Sequence, residues 1–301
     1  MKPTVPLTLP ADLDLRALGN RAQGWADRFR LPFGKRVWRG AAGERQGSGT
    51  GSSLDFQDHR HYLPGDDPRH INWQAYARSG QYTMKLFREE VRPLVDLVVD
   101  VSPSMFLGEA KARRTVELLY FLVHAVLKSG ASARFHFATA GGAATVRAEL
   151  LTGHAWTDAA RALDPGPAAG GLRLEGVPFR ARSMRLLLSD LLFPGDGVAL
   201  LRALSAQRGF GTVFAPFSRE EADPAWSGNY EFVDAEDGTR HARRVPLELL
   251  QRYRTAYRRH FEQWKTEARR HDVAVARVPA EGDFAQALRF EAVPAGALEL
   301  G

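Results

Sequence analysis

Cysteine is absent from the 301 residues, which excludes disulfides, Cys-zinc sites and thiol catalysis while leaving the compartment open. Long apolar runs are absent too: no stretch approaches the ~18 apolar residues that a membrane span needs. The start, MKPTVPLTLPADLDL, lacks the charged beginning and apolar core of a signal peptide, so a cytoplasmic protein is expected. Lysine is scarce, at six of the 41 basic residues. A net charge of +6 invites a nucleic-acid reading, yet the arginines are scattered among 35 acidic residues. No helix-turn-helix, RNA-binding aromatic pair or zinc finger accompanies them, so a nucleic-acid-binding basic protein stands only as an alternative. P-loop, dinucleotide and G-x-S-x-G fingerprints are missing as well, which removes the commonest nucleotide and serine-hydrolase chemistries.

What remains is a chain that is 44% hydrophobic and long enough for a sizeable core. Residues 1–45 read as a Pro-punctuated start, a helix over Leu13–Phe29 and a basic segment, GKRVWRGAAGER. Residues 46–93 begin with a Gly/Ser loop, QGSGTGSS, and continue through a polar, aromatic stretch with a PGDDP turn and an alternating strand, QYTMKLFREE. From Leu94 to residue 290 strands and helices alternate, and residues 291–301 form a tail. LVDLVVDVS and SMRLLLSDLL are nearly continuous in apolar residues, as strands buried on both faces are. The alternation predicts an α/β fold: a mostly parallel central sheet with helices on both faces, plus a small N-terminal lobe. YEFVDAEDGTRHARRV predicts a hairpin about its Asp-Gly turn, and a long helix follows Pro246. Its Arg252, Arg254, Arg258 and Arg259 form either a solvated face or a second contact surface.

Two of these strands end in matching chemistry. LVDLVVD runs into Asp100, Ser102 and Ser104, and RLLLSD ends in Ser189 and Asp190. In an open parallel sheet the ligand crevice lies beyond the carboxyl ends of the strands, so neighbouring strands would bring these oxygens together. Such a hard-oxygen set suits Mg²⁺ or another divalent cation. The competing reading is local: Ser102, Ser104 and Asp190 cap the helices that follow.

DVSPSM followed by LLLSDLL resembles the von Willebrand factor type A domain with its metal-ion-dependent adhesion site. The resemblance implies a Rossmann-like fold in which Asp100, Ser102, Ser104 and Asp190 hold a divalent ion that an acidic group of a partner completes. A threonine from a second loop is also expected there, but DPGPAAGGLRLEGVPFRARS contains none, and Leu172 or Arg173 stands in its place. Asp100 also resembles the nucleophile of haloacid dehalogenase-type phosphatases. There an acid two residues later protonates the leaving group, and here that position is Ser102. A metal-dependent phosphohydrolase is thus an alternative without its general acid.

A second resemblance is carried by YLPGDDPRHINWQAYARSGQYTMKLFREE, placed just before the Asp100 strand. Tyr62, Pro64, Gly65, Asp66, Asp67, Arg69, Ile71, Trp73, Ala77 and Arg78 are similar to the signature of the bacterial domain of unknown function 58 family, with Asn72 where Asp is usual. The resemblance implies a non-catalytic adaptor working with a MoxR-type AAA+ ATPase in chaperone-like assembly or maturation of a client protein. Physically, Pro64-Gly65 suits a type II turn. Arg69, Arg78, Arg88 and Arg92 suit bidentate pairs with Asp55, Asp58, Asp66 or Asp67, and Trp73 and Tyr76 are expected as core anchors. His59, His61 and His70 with Asp66 form a weaker zinc candidate that the signature does not include.

Overall fold

The structure, a computed structural model, describes residues 7–33, 54–89, 92–167, 170–195 and 197–301, without the side chains of residues 54–59, 70 and 85–89. The basic segment and the Gly/Ser loop expected over residues 34–53 lie outside the described residues, as do the side chains of Asp55, Asp58, His59, His70 and Arg88. The chain divides into two compact units, Met1–Arg36 with Pro93–Gly301, and Val37–Arg92.

The larger unit is a mixed α/β fold built on a six-stranded sheet. Its strand order is Ala274–Pro279, Phe210–Phe217, Met184–Leu188, Leu94–Asp100, Ser132–Thr139 and Gly142–Val146. The first five strands run parallel, and the last pairs antiparallel with Ser132–Thr139. The central strands are fully buried from Val95 to Val99 and from Leu186 to Leu188, because helices cover both faces. On one face Val98, Leu187, Val213 and Val275 pack against Leu200, Leu201 and Leu204 of the helix Gly197–Ser205, and against Phe261 and Trp264 of Leu247–Arg270. The other face carries the helix Glu109–Lys128, whose buried side includes Leu118, Phe121 and Leu122. Among the described residues no helix is long and apolar enough to cross a membrane.

The N-terminal helix, Leu15–Arg28, does not stand apart from the sheet unit as the sequence segmentation suggests. Leu18, Ala22 and Ala26 recur every four residues, and this stripe is buried where the helix lies along Glu109–Lys128. The tail also joins this unit, since Glu299–Leu300 pairs with Phe29–Arg30.

The smaller unit is a hairpin of Leu54–His61 and Thr83–Glu89 joined by the helix Trp73–Ser79. Gly65 has φ +105° and the Asp66 amide donates to the Leu63 carbonyl at 3.0 Å, as the Pro-Gly turn requires. Asn72 caps the helix by accepting from the Ala75 amide at 3.2 Å, a role Asp fills equally well.

Candidate functional site

The chain leaves the central strand Leu94–Asp100 for Ser132–Thr139 on one side, then returns to Met184–Leu188 on the other. Strand order therefore reverses beside Leu94–Asp100, and a crevice opens beyond the strand ends at that point. Val99 pairs with Leu188, so Asp100 and Ser189 leave the sheet side by side. The Ser189 hydroxyl donates to Asp100 Oδ2 at 2.7 Å. The other oxygen, Oδ1, accepts from the Ser102 amide at 3.0 Å and from its hydroxyl at 2.6 Å.

After Ser102 the chain makes a 3₁₀ turn, Pro103–Phe106, for which Pro103 supplies the fixed φ and buried Met105 and Phe106 supply the anchors. This turn leaves Ser102 Oγ and Ser104 Oγ 3.2 Å apart, half-buried at the rim of a cleft of about 220 Å³. Neither hydroxyl caps a helix: the helix Glu109–Lys128 starts behind Gly108, with no side-chain cap. The capping reading of the two serines is thereby corrected. Cis ligands of an octahedral ion held at ~2.1 Å lie roughly 3 Å apart. The separations from Asp100 Oδ1 to Ser102 Oγ, 2.6 Å, and from Ser102 Oγ to Ser104 Oγ, 3.2 Å, bracket that edge length, as two neighbouring pairs of ligands to a small divalent cation would. Among the described residues no cluster of three or more His, Asp or Glu forms a cage, so a cation here would rest largely on hydroxyls.

Asp190 lines the same cleft but is already engaged. Its Oδ1 accepts from the Leu192 amide at 3.0 Å, and its Oδ2 from the ammonium of Lys111 at 2.8 Å. Lys111 is 1% exposed and also donates to Glu221. Burial by itself lowers the Lys111 ammonium, but the carboxylates of Asp190 and Glu221 outweigh it and hold it above the ordinary lysine range. Glu221 is fixed in turn by the Ser218 amide at 2.7 Å, within the capping box of the short helix Arg219–Ala222. Burial, and then the neighbouring Asp190, push Asp100 up to about 7.

Glu236, from the loop between strands Gly228–Val233 and Arg240–Val245, reaches the lip from the far side. It accepts from the Ser104 amide at 3.2 Å, and burial raises its carboxyl above the usual range despite that bond.

The structure thus brings Asp100, Ser102, Ser104 and Asp190 to one cleft. The loop expected to carry a threonine contributes Pro167, Gly170 and Leu172, and Thr157 opens the separate helix Thr157–Arg161. Lys111, Glu221 and Glu236 have no sequence signal of their own, since each meets the site from an element 79 to 132 residues away.

The signature residues lie in the smaller unit. Asp66 takes two bonds from the Arg60 guanidinium, at 2.7 and 2.6 Å, and Asp67 pairs with Arg69 at 2.7 Å. With Asp66 so committed, the zinc candidate loses its carboxylate. Arg78 donates to the Gln74 carbonyl within its own helix, beside exposed Ala77, and Ile71 is buried against Met84. The expectation of core anchors is corrected: Trp73 is 58% exposed. A unit this small buries little, and its rings pack on one another, Tyr76 stacking on Tyr82 at 4.5 Å and Tyr62 tilting against Tyr82 at 6.2 Å. On the long helix Arg254 pairs with Asp223 at 2.7 Å, while Arg252, Arg258 and Arg259 are exposed.

Comparison with known proteins adds three observations. The chain is 28% identical over 176 residues to uncharacterized proteins of Mycobacterium bovis and of two Mycobacterium tuberculosis strains, covering 55% of this chain. It spans about half, 56%, of the length of these curated relatives. Solved structures similar to it include an aerotolerance-related membrane protein from Bacteroides fragilis, at 14% identity and a TM-score of 0.35, and BatB from Bacteroides thetaiotaomicron, at 14% and 0.32. Each match covers 67% of this chain and 98% of the other, and at these scores the likeness carries no weight. A family model described as "Protein of unknown function DUF58" matches residues 58–271, more than half of the chain, and the chain belongs to that family.

Proposed function

We propose that this protein is a non-catalytic protein-interaction adaptor. Its larger unit acts as a von Willebrand factor type A-like domain, and its partner is a MoxR-type AAA+ ATPase in chaperone-like maturation of a client. The lip of Asp100, Ser102 and Ser104 meets an acidic group of that partner. Mg²⁺ or another divalent cation would supply the positive charge between them.

One observation carries this reading. Both carboxylate oxygens of Asp100 accept hydrogen bonds, from Ser102 and Ser189, while the Ser102 and Ser104 hydroxyls face an open cleft. A nucleophilic aspartate needs a free ionised oxygen and a nearby acid for the leaving group. Neither oxygen of Asp100 is free of donors, and the position for that acid is Ser102. The same arrangement is well made for holding a ligand. Asp100 orients Ser102, Ser102 faces Ser104, and Lys111 neutralises Asp190 so that the lip does not carry two bare charges.

The test is retention of a purified MoxR-type ATPase by the immobilised full chain. Retention in Mg²⁺, lost with a chelator and lost in Asp100→Ala, is the expected outcome. An ATPase that never binds, or that binds Asp100→Ala as well as wild type, removes this reading.

A further inference from the structure

The hairpin Gly228–Val245 is unusual in where it is buried. Its strands are almost wholly exposed, with Phe232 half-buried and Val245 buried, and among the described residues they pair only with each other. Its loop, by contrast, is half-buried from Ala235 to Thr239, against the cleft. The shaft meets the long helix through a few aromatic rings, Phe232 and Tyr230 on Trp226 at 5.2 and 6.4 Å, and Trp226 on Tyr253 at 5.5 Å.

The tip is internally firm. The Asp234 amide donates to the Thr239 carbonyl at 2.8 Å and the Glu236 amide to Asp234 Oδ1 at 2.8 Å. The Thr239 amide donates to Asp237 Oδ1 at 2.8 Å. A firm tip on a thinly packed shaft moves as one piece, because two-stranded hairpins hold little stability of their own. Its hold on the lip is the bond from the Ser104 amide to Glu236.

We propose that this hairpin is a carboxylate-tipped gate: Glu236 occupies the place at the Ser104 lip that an acidic group of a protein partner takes, so docking requires the tip to lift. The identity of the excluded partner rests on the adaptor reading above, but the gate does not. Two observations carry it: the tip is the buried part of an otherwise exposed hairpin, and its acid ends on the lip serine.

The experiment is amide hydrogen exchange on the full chain, comparing wild type with Glu236→Ala and Glu236→Gln, with ATPase affinity measured alongside. Loss of a hydrogen bond to a charged acceptor is expected to speed exchange at Ser104 and across residues 234–239 about tenfold in Glu236→Ala. The sheet should be unchanged, and Glu236→Gln, which keeps the acceptor oxygen, should fall between. The MoxR-type ATPase should bind Glu236→Ala about tenfold more tightly. Unchanged exchange at Ser104 overturns the gate, and so does weaker ATPase binding by Glu236→Ala, which would make Glu236 part of the docking surface. If the ATPase binds neither wild type nor variant, the adaptor reading fails, and the exchange result alone decides the gate.

Discussion

Replacing Lys111 by Met is expected to be among the most damaging conservative changes near the cleft. Methionine keeps the length and apolar character of the stem but removes the ammonium that joins Asp190 and Glu221. Two carboxylates would then face each other without a counter-ion, close to Asp100. Breaking a buried ion pair by deleting one partner costs ~3–5 kcal/mol. In a unit of this size each kcal/mol lowers Tm by roughly 2–4 °C, so a fall of about 10 °C is expected at neutral pH. Thermal unfolding followed by circular dichroism reads this directly. Adding Glu221→Gln should return part of the loss by removing the repulsion. A Lys111→Met protein whose Tm stays within about 2 °C of wild type at neutral pH would refute the reasoning, because the pair would then contribute almost nothing.

Asp100→Asn is expected to separate from wild type in the opposite direction. The folded-state value for Asp100, about 7, lies above the ordinary carboxylate value, so its contribution to stability is present in acid and is lost as pH rises through 7. The variant, which carries no charge, should be the more stable protein above pH 7, by up to ~4 kcal/mol; denaturant unfolding across pH checks this, and equal stability at all pH values would contradict it. Arg180→Ala should destabilise the fold by ~3–5 kcal/mol without touching the cleft, because it strips the partner from fully buried Asp96, bound at 2.8 Å. Arg180→Lys should rescue it poorly, since Arg180 also reaches the Val95 and Ser132 carbonyls at 2.7 and 2.9 Å, which a single ammonium cannot match. Urea midpoints check both.

Much of the sheet was legible because burial on both faces leaves long apolar runs, and Asp100 and Asp190 stood out as acids ending two of them. Their adjacency is not written in the sequence; it comes from the pairing of Val99 with Leu188. Lys111 was not legible. In the run EAKARR it reads as one more charge on an amphipathic helix, and only the return of Asp190 and Glu221 from distant elements makes it a buried cation. Glu236 was hidden for the same reason, since a hairpin turn rich in Asp and Gly reads as solvated. Trp73 misled in the other direction: large aromatic rings usually signal a core, yet the unit that holds it is too small to bury them all. The N-terminal helix is legible to within two residues at its start, but its docking is not, because an alanine-rich stripe does not say which helix it will meet.

The central claim is that the Asp100, Ser102 and Ser104 lip is where a protein partner is bound. The most direct measurement is calorimetric affinity for the MoxR-type ATPase in Mg²⁺, comparing wild type with Ser104→Ala, a change that leaves Asp100 hydrogen-bonded to Ser102 and Ser189. Removing one hydroxyl ligand is expected to weaken binding about tenfold or more with Tm nearly unchanged. Equal affinity for the two proteins would place the partner elsewhere on the molecule and contradict the claim.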